Sequence, residues 1–116
     1  MSGDALDGAA LDRLRRIGGD KLLVAMLESF LANGAQRVAE ASGSAEAGDG
    51  AGVSDAAHAL KSSAGNVGAR RLQETSARVE FESRSGGVDL RALASELDTA
   101  WQEARAAARS LLDAPG

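Results

Sequence analysis

Apolar positions in this chain recur at three- and four-residue steps from end to end, and glycines punctuate them. Leu6, Ala10, Leu14 and Ile17 predict a short amphipathic helix over about 4–16. Gly18-Gly19 reads as its stop and Asp20 as the N-cap of the next helix. Leu23, Met26, Leu27, Phe30, Leu31, Val38 and Ala41 form one stripe along a long helix over about 20–42. Gly43 reads as its end, and the stretch SGSAEAGDGAG (42–52) as a loop. A third helix, about 53–65, starts somewhere between Asp49 and Ser54, because Gly50 and Gly52 would each cost roughly 1 kcal/mol inside it. Asn66-Val67-Gly68 reads as a tight turn, followed by a helix over about 69–83. After Ser85-Gly86-Gly87 a last helix over about 88–112 carries Leu90, Leu93, Leu97, Trp101, Ala104, Ala108 and Leu111 on one face. No strand pattern competes. Short connections favour antiparallel neighbours, so the expected fold is all-α: an up-down-up-down four-helix bundle with a short additional N-terminal helix.

Composition narrows this picture. The 116 residues suit one domain, 1–116, with a single core. Ala and Leu dominate, Phe30, Phe81 and Trp101 are the only aromatics, and the one proline is Pro115, which agrees with helix and not sheet. There is no cysteine, so disulfide and thiolate chemistry are excluded. No apolar run approaches the roughly 18 residues of a membrane span, and MSGDALDGAA does not read as a signal peptide, so a cytoplasmic protein without membrane attachment is expected. The starting Met1 and the compact length favour a free protein over a segment of a longer one. A net charge of −4 argues against a general nucleic-acid binder. That charge is uneven. From Ala56 to Gln73 there are three basic residues (Lys61, Arg70, Arg71) and no acid, leaving ten basic and all seventeen acidic residues to the rest of the chain. Such a window suits an anionic visitor, although three cations on a solvated face form one as readily by chance.

The window contains the only histidine, His58. On a helix, Val53, Ala56, Ala57, Leu60, Ala64 and Val67 share the face that must be buried. Leu60 lies about 200° around the helix from His58, so the imidazole points away from the core. Lys61 lies about 60° to one side, Ser62 about 40° to the other, and Gly65 about 20° away two turns on. His58 is therefore expected to be exposed beside a cation, a hydroxyl and a bare patch of backbone. Gly65 reads either as room for close approach or as the start of the turn with Asn66.

With these residues in place, AAHALKSSAGNVGARRLQETSARVE (56–80) resembles the signature of histidine-containing phosphotransfer domains of multistep two-component relays. That pattern has a His, a Lys three residues later, small residues, a Gly-Ala after the turn, and Leu-x(6)-hydrophobic-Glu on the next helix. His58, Lys61, Gly68, Ala69, Leu72, Val79 and Glu80 occupy those places. IGGDKLLVAMLESFL (17–31) is similar to the start of the family's first long helix, and EAGDGAGVSDAAH (46–58) to its approach to the histidine. The resemblance spans about residues 6–112. Two positions depart from it: Ser62 stands where Gly commonly follows the Lys, and Ser76 where Cys is frequent.

The resemblance implies a phosphorelay intermediate. His58 would accept a phosphoryl group on Nε2 from a receiver domain's aspartyl phosphate and pass it to a response-regulator receiver. Lys61 would screen phosphoryl oxygens, the Ser62 hydroxyl would donate to one, and Glu80 would orient the imidazole. Gly65, Arg70 and Arg71 would lie on the partner's approach surface, the arginines steering an acidic partner. The expected partners are receiver domains or a hybrid sensor histidine kinase, meeting a monomer. The chain has no G-x(4)-G-K-[ST] loop, and GDGAG (48–52) follows no strand, so no ATP site is expected. It would be a phosphocarrier and not an enzyme, with no metal or cofactor of its own; Mg²⁺ would belong to the receiver. Two other readings remain open. One is a helical adaptor that docks on a receiver or kinase without carrying phosphate, which a buried or obstructed His58 would favour. The other is a structural homo-oligomer, to which Phe81 points by falling off the core stripe.

Overall fold

A computed structural model describes residues 5–114. They form four helices: α1 (Gly8–Glu46), α2 (Gly50–Val67), α3 (Arg70–Glu82) and α4 (Leu90–Asp113), with no strand among the described residues. The protein is all-helical, as its periodicity predicts.

The boundaries follow local chemistry, and several differ from expectation. The Asp7 carboxylate caps α1 by accepting the Ala9 N–H at 3.0 Å, so helix begins at Gly8 and not near residue 4; residues 1–4 lie outside the described chain. The expected 4–16 and 20–42 helices meet in one 39-residue element, broken by non-helical backbone at Gly18 and at Gly19, whose φ of 71° suits glycine. Asp20, expected as a cap, instead directs its carboxylate at Arg15, 3.4 Å away.

The largest correction concerns 42–52, which is mostly helix and not loop. α1 runs through Gly43 to Glu46 because Ala41 and Ala45 on either side bury against the core. The chain turns only at Ala47-Gly48-Asp49, where Gly48 takes φ +71° and Asp49 accepts the Gly52 N–H to open α2. The remaining glycines serve close packing: a Cβ on Gly50 would sit 2.2 Å from the Ser83 carbonyl oxygen. At the other end α2 continues two residues past Gly65, to Val67, and closes on Gly68 in the left-handed conformation.

The core joins Leu27, Leu60, Leu72 and Leu97 with Val53, Val67, Val79 and Trp101. Trp101 meets Phe30 edge-on with ring centroids 5.1 Å apart, and its six-membered ring lies directly over the bare Cα of Gly34. Two residues on the expected stripes are exposed. Ile17, at the break in α1, is 71 % exposed, and Leu111, near the end of α4, lies at the surface. Phe81 is 78 % exposed, in line with its place off the stripe.

Contacts between successive helices run in opposite senses along the chain. Ser54, His58 and Gly65 of α2 meet Arg84, Glu80 and Gln73 in turn. Arg71 and Arg78 of α3 pair with Glu103 and Glu96 of α4. The N-terminal segment reaches the α2–α3 turn, where the Asp7 N–H donates to the Gly68 carbonyl at 2.8 Å.

Candidate functional site

The α2 stripe that buries Val53, Ala57, Leu60 and Ala64 turns His58 outward, and its side chain is 62 % exposed. On α3, burial of Leu72, Ser76 and Val79 turns Glu80 toward α2. The two helices thereby place one carboxylate between two α2 side chains. Glu80 Oε2 lies 2.8 Å from His58 Nδ1, and Glu80 Oε1 lies 2.8 Å from Lys61 Nζ. Lys61 is one helical turn from His58, so its ammonium and the imidazole reach the same carboxylate side by side. Hydrogen bonding from Lys61, with that from His58 behind it, holds the Glu80 carboxyl below its usual pKa, against partial burial that acts the other way.

This arrangement fixes a tautomer. An ionised carboxylate only accepts hydrogen bonds, so a neutral His58 in contact with it carries its proton on Nδ1. The lone pair is then on Nε2. Among the described residues, no hydrogen bond engages that nitrogen.

The other sequence candidates divide. Ser62 is exposed on α2 next to Lys61. Gly65 is half-buried and helical, so it does not begin the turn; a Cβ there would lie 3.0 Å from the Gln73 amide nitrogen of α3. Arg70 and Arg71 are not brought to the histidine. Arg70 holds Asp7 through Nη2 at 2.7 Å and Nε at 3.1 Å, and Arg71 lies 3.5 Å from Glu103. Arg70, with the Ala9 N–H behind it, keeps the Asp7 carboxyl below its ordinary pKa. All three cations of the acid-free window thus face acids from elsewhere in the chain, and the positive character read from the sequence is largely matched in space. No group of three or more His, Asp or Glu side chains among the described residues is gathered as a metal site.

Sequence reasoning passed over Ser54, Gln73 and Arg84. Ser54 lies on the apolar stripe, where a serine reads as a small neutral filler. The buried Ser54 hydroxyl in fact contacts both the Glu80 carbonyl and Arg84. The signal was available in the unbroken i, i+4 step from Ser54 to His58.

Comparison with known proteins identifies the class to which this all-helical chain, with its exposed histidine held by a carboxylate from the next helix, belongs. The Hpt domain family model matches residues 25–109, and the chain belongs to that family. The fold is similar to that in the crystal structure of histidine-containing phosphotransfer protein B (HptB) from Pseudomonas aeruginosa PAO1. That likeness has a TM-score of 0.85 at 22 % identity and covers 93 % of this chain and 94 % of the other. A search of curated proteins found no match. Membership assigns the protein to histidine phosphotransfer in two-component signalling, where Hpt domains act as phosphocarriers toward receiver domains and kinases. No helix among the described residues is long and apolar enough to cross a membrane.

Proposed function

We propose that His58 is the phosphoryl-accepting residue and that the domain stands between two receivers in a relay. The Nε2 lone pair attacks the phosphorus of a receiver's aspartyl phosphate. The N–P bond forms as the aspartyl O–P bond breaks, and the electron pair leaves with the carboxylate. In the second transfer a carboxylate of the next receiver attacks, and the N–P electron pair returns to Nε2. The observation that carries this reading is the 2.8 Å contact from Nδ1 to Glu80 beneath a largely exposed ring, which commits one nitrogen to support and leaves the other for attack. Phosphoryl transfer passes through a loose transition state, so positioning and charge balance are what such a domain supplies. Lys61, already beside His58, screens the phosphoryl oxygens, and the exposed Ser62 hydroxyl donates to one of them.

In this reading residues 1–116 are one domain, an up-down-up-down bundle in which the segment before Gly18-Gly19 packs across one end. The opposed running order of the inter-helix contacts and the Asp7–Gly68 hydrogen bond support it. The domain acts as a cytoplasmic monomer without a cofactor of its own, and Mg²⁺ belongs to the receiver. The exposure of His58 gives the adaptor reading no support.

Incubation with a ³²P-labelled receiver domain tests the assignment. The wild-type protein is expected to take up acid-labile, base-stable label, and His58→Gln to take up none while keeping its helical circular dichroism. Equal labelling of the two proteins would remove His58 from the role.

A further inference from the structure

Glu80 is held at two points, and only one of them is its carboxylate. It lies in the last turn of α3, where backbone carbonyls lack helical N–H partners. The hydroxyl of Ser54 donates to the Glu80 carbonyl at 2.9 Å, across 26 residues of chain, with the Ser83 hydroxyl a longer second donor at 3.4 Å. Ser54 is completely buried and sits one turn before His58 on the same face-adjacent row of α2. Arg84 Nε donates to the same Ser54 oxygen at 2.7 Å, and Arg84 Nη2 reaches Asp55 at 3.3 Å. A guanidinium has no acceptor, so the Ser54 oxygen must accept from Arg84. Its own proton is thereby directed at the Glu80 carbonyl.

We propose that Ser54, oriented by Arg84, is a positioning residue that sets the Glu80 carboxylate against His58. Two successive turns of α2 grip one residue of α3: Ser54 holds its backbone and His58 its side chain. The register between the helices is pinned at the site itself, where a carboxylate shared by an imidazole and an ammonium tolerates little displacement. The inference rests on the phosphotransfer reading of His58, but the clamp has a readout that does not depend on transfer.

The test uses the full chain labelled with ¹⁵N-histidine. Long-range ¹H–¹⁵N spectra of the His58 ring report the Nδ1–H hydrogen bond, and transfer from a phosphorylated receiver reports function. Glu80→Ala supplies the signals of an unsupported ring. Ser54→Ala is expected to move the ring signals part-way toward those of Glu80→Ala and to slow transfer about threefold to tenfold, as the loss of one hydrogen bond implies. Arg84→Met, at an exposed position, is expected to shift both readouts in the same direction by less. A folded Ser54→Ala protein with wild-type values in either readout overturns the proposal. If Ser54→Ala does not fold, Arg84→Met decides alone, and wild-type ring signals overturn it. If the wild-type protein takes no label, the phosphotransfer reading fails, and the ring signals alone judge the clamp.

Discussion

The two oxygens of Glu80 are divided between His58 and Lys61, each at 2.8 Å. One acidic side chain from α3 therefore sets both the tautomer of the histidine and the place of the lysine. Two substitutions separate its contributions. Glu80→Gln keeps an oxygen to accept from Nδ1 and loses the charge, whereas Glu80→Ala loses both. Transfer through His58 is expected to fall in both, about tenfold or more in Glu80→Ala and less in Glu80→Gln. Single-turnover transfer from one phosphorylated receiver measures the order. Equal rates in the two variants would show that the acceptor on Nδ1 is without effect.

The same carboxylate gives a pH dependence whose sign is determined. Its folded pKa is depressed from the ordinary 4.5, first by Lys61 and then by His58. A depressed carboxyl contributes stability that is present above the unfolded value and lost as pH falls through the folded one. The stability that the Glu80 carboxylate adds over Glu80→Gln is thus expected to be present above about pH 4.5 and to shrink below it. Urea unfolding at a series of pH values shows the trend, and a gap that widens in acid contradicts it.

Lys61 is the cation nearest to His58 along α2, and it is about one-third exposed. Lys61→Ala is expected to slow phosphoryl transfer while leaving the urea midpoint nearly unchanged, since exposed ion pairs contribute about 0–1 kcal/mol. A transfer rate equal to wild type would reduce Lys61 to a surface charge.

Ser76 lies fully buried in α3, and its hydroxyl has no hydrogen-bond partner among the described residues. Ser76→Ala removes that unpaired group and raises helix propensity, so it is expected to stabilise the fold by about 1 kcal/mol. The urea midpoint reads the change directly, and a destabilised variant would mean that the oxygen is bonded in solution.

Gly34 sits where α1 crosses Trp101. A Cβ there would lie 2.2 Å from a ring carbon, and the ring is buried and backed by Phe30, so it has little room to move. Gly34→Ala gains about 1 kcal/mol of helix propensity but overpacks the core at a cost of about 1–3 kcal/mol. A net loss of stability is expected, unlike the gain that the same substitution gives in an unconstrained helix. Thermal unfolding of the variant checks the sign.

What the sequence made legible follows from where the information is local. The α2 stripe through Val53, Leu60 and Val67 determined which way His58 faces, because helical geometry alone relates those positions. Glycines misled where their reason was tertiary. Gly43 sits inside a helix that Ala41 and Ala45 anchor, and Gly50 makes room for a carbonyl 33 residues away, at Ser83. Read singly, each resembles a loop residue. The charges misled in the same way. Arg70 and Arg71 stand in an acid-free window of sequence, but their partners Asp7 and Glu103 arrive from the two ends of the chain. Ile17 followed the apolar period, but the break at Gly18-Gly19 ends that period's geometric meaning just where Ile17 stands.

The pairing of Lys61 with Glu80 also bears on how long such a site would keep its load. In the relay, transfer of PO3⁻ to Nε2 adds about one net negative charge to the cluster, two on the phosphoryl oxygens against one positive charge on a ring that keeps its Nδ1 proton. Lys61, shared with Glu80, is the one cation of the acid-free window beside them, since Arg70 and Arg71 are engaged elsewhere, so it alone of the three can screen the phosphoryl oxygens. In the proposed relay the loaded site would hold that added charge against a single cation already engaged with a carboxylate. Such a site would favour passing its load on over storing it.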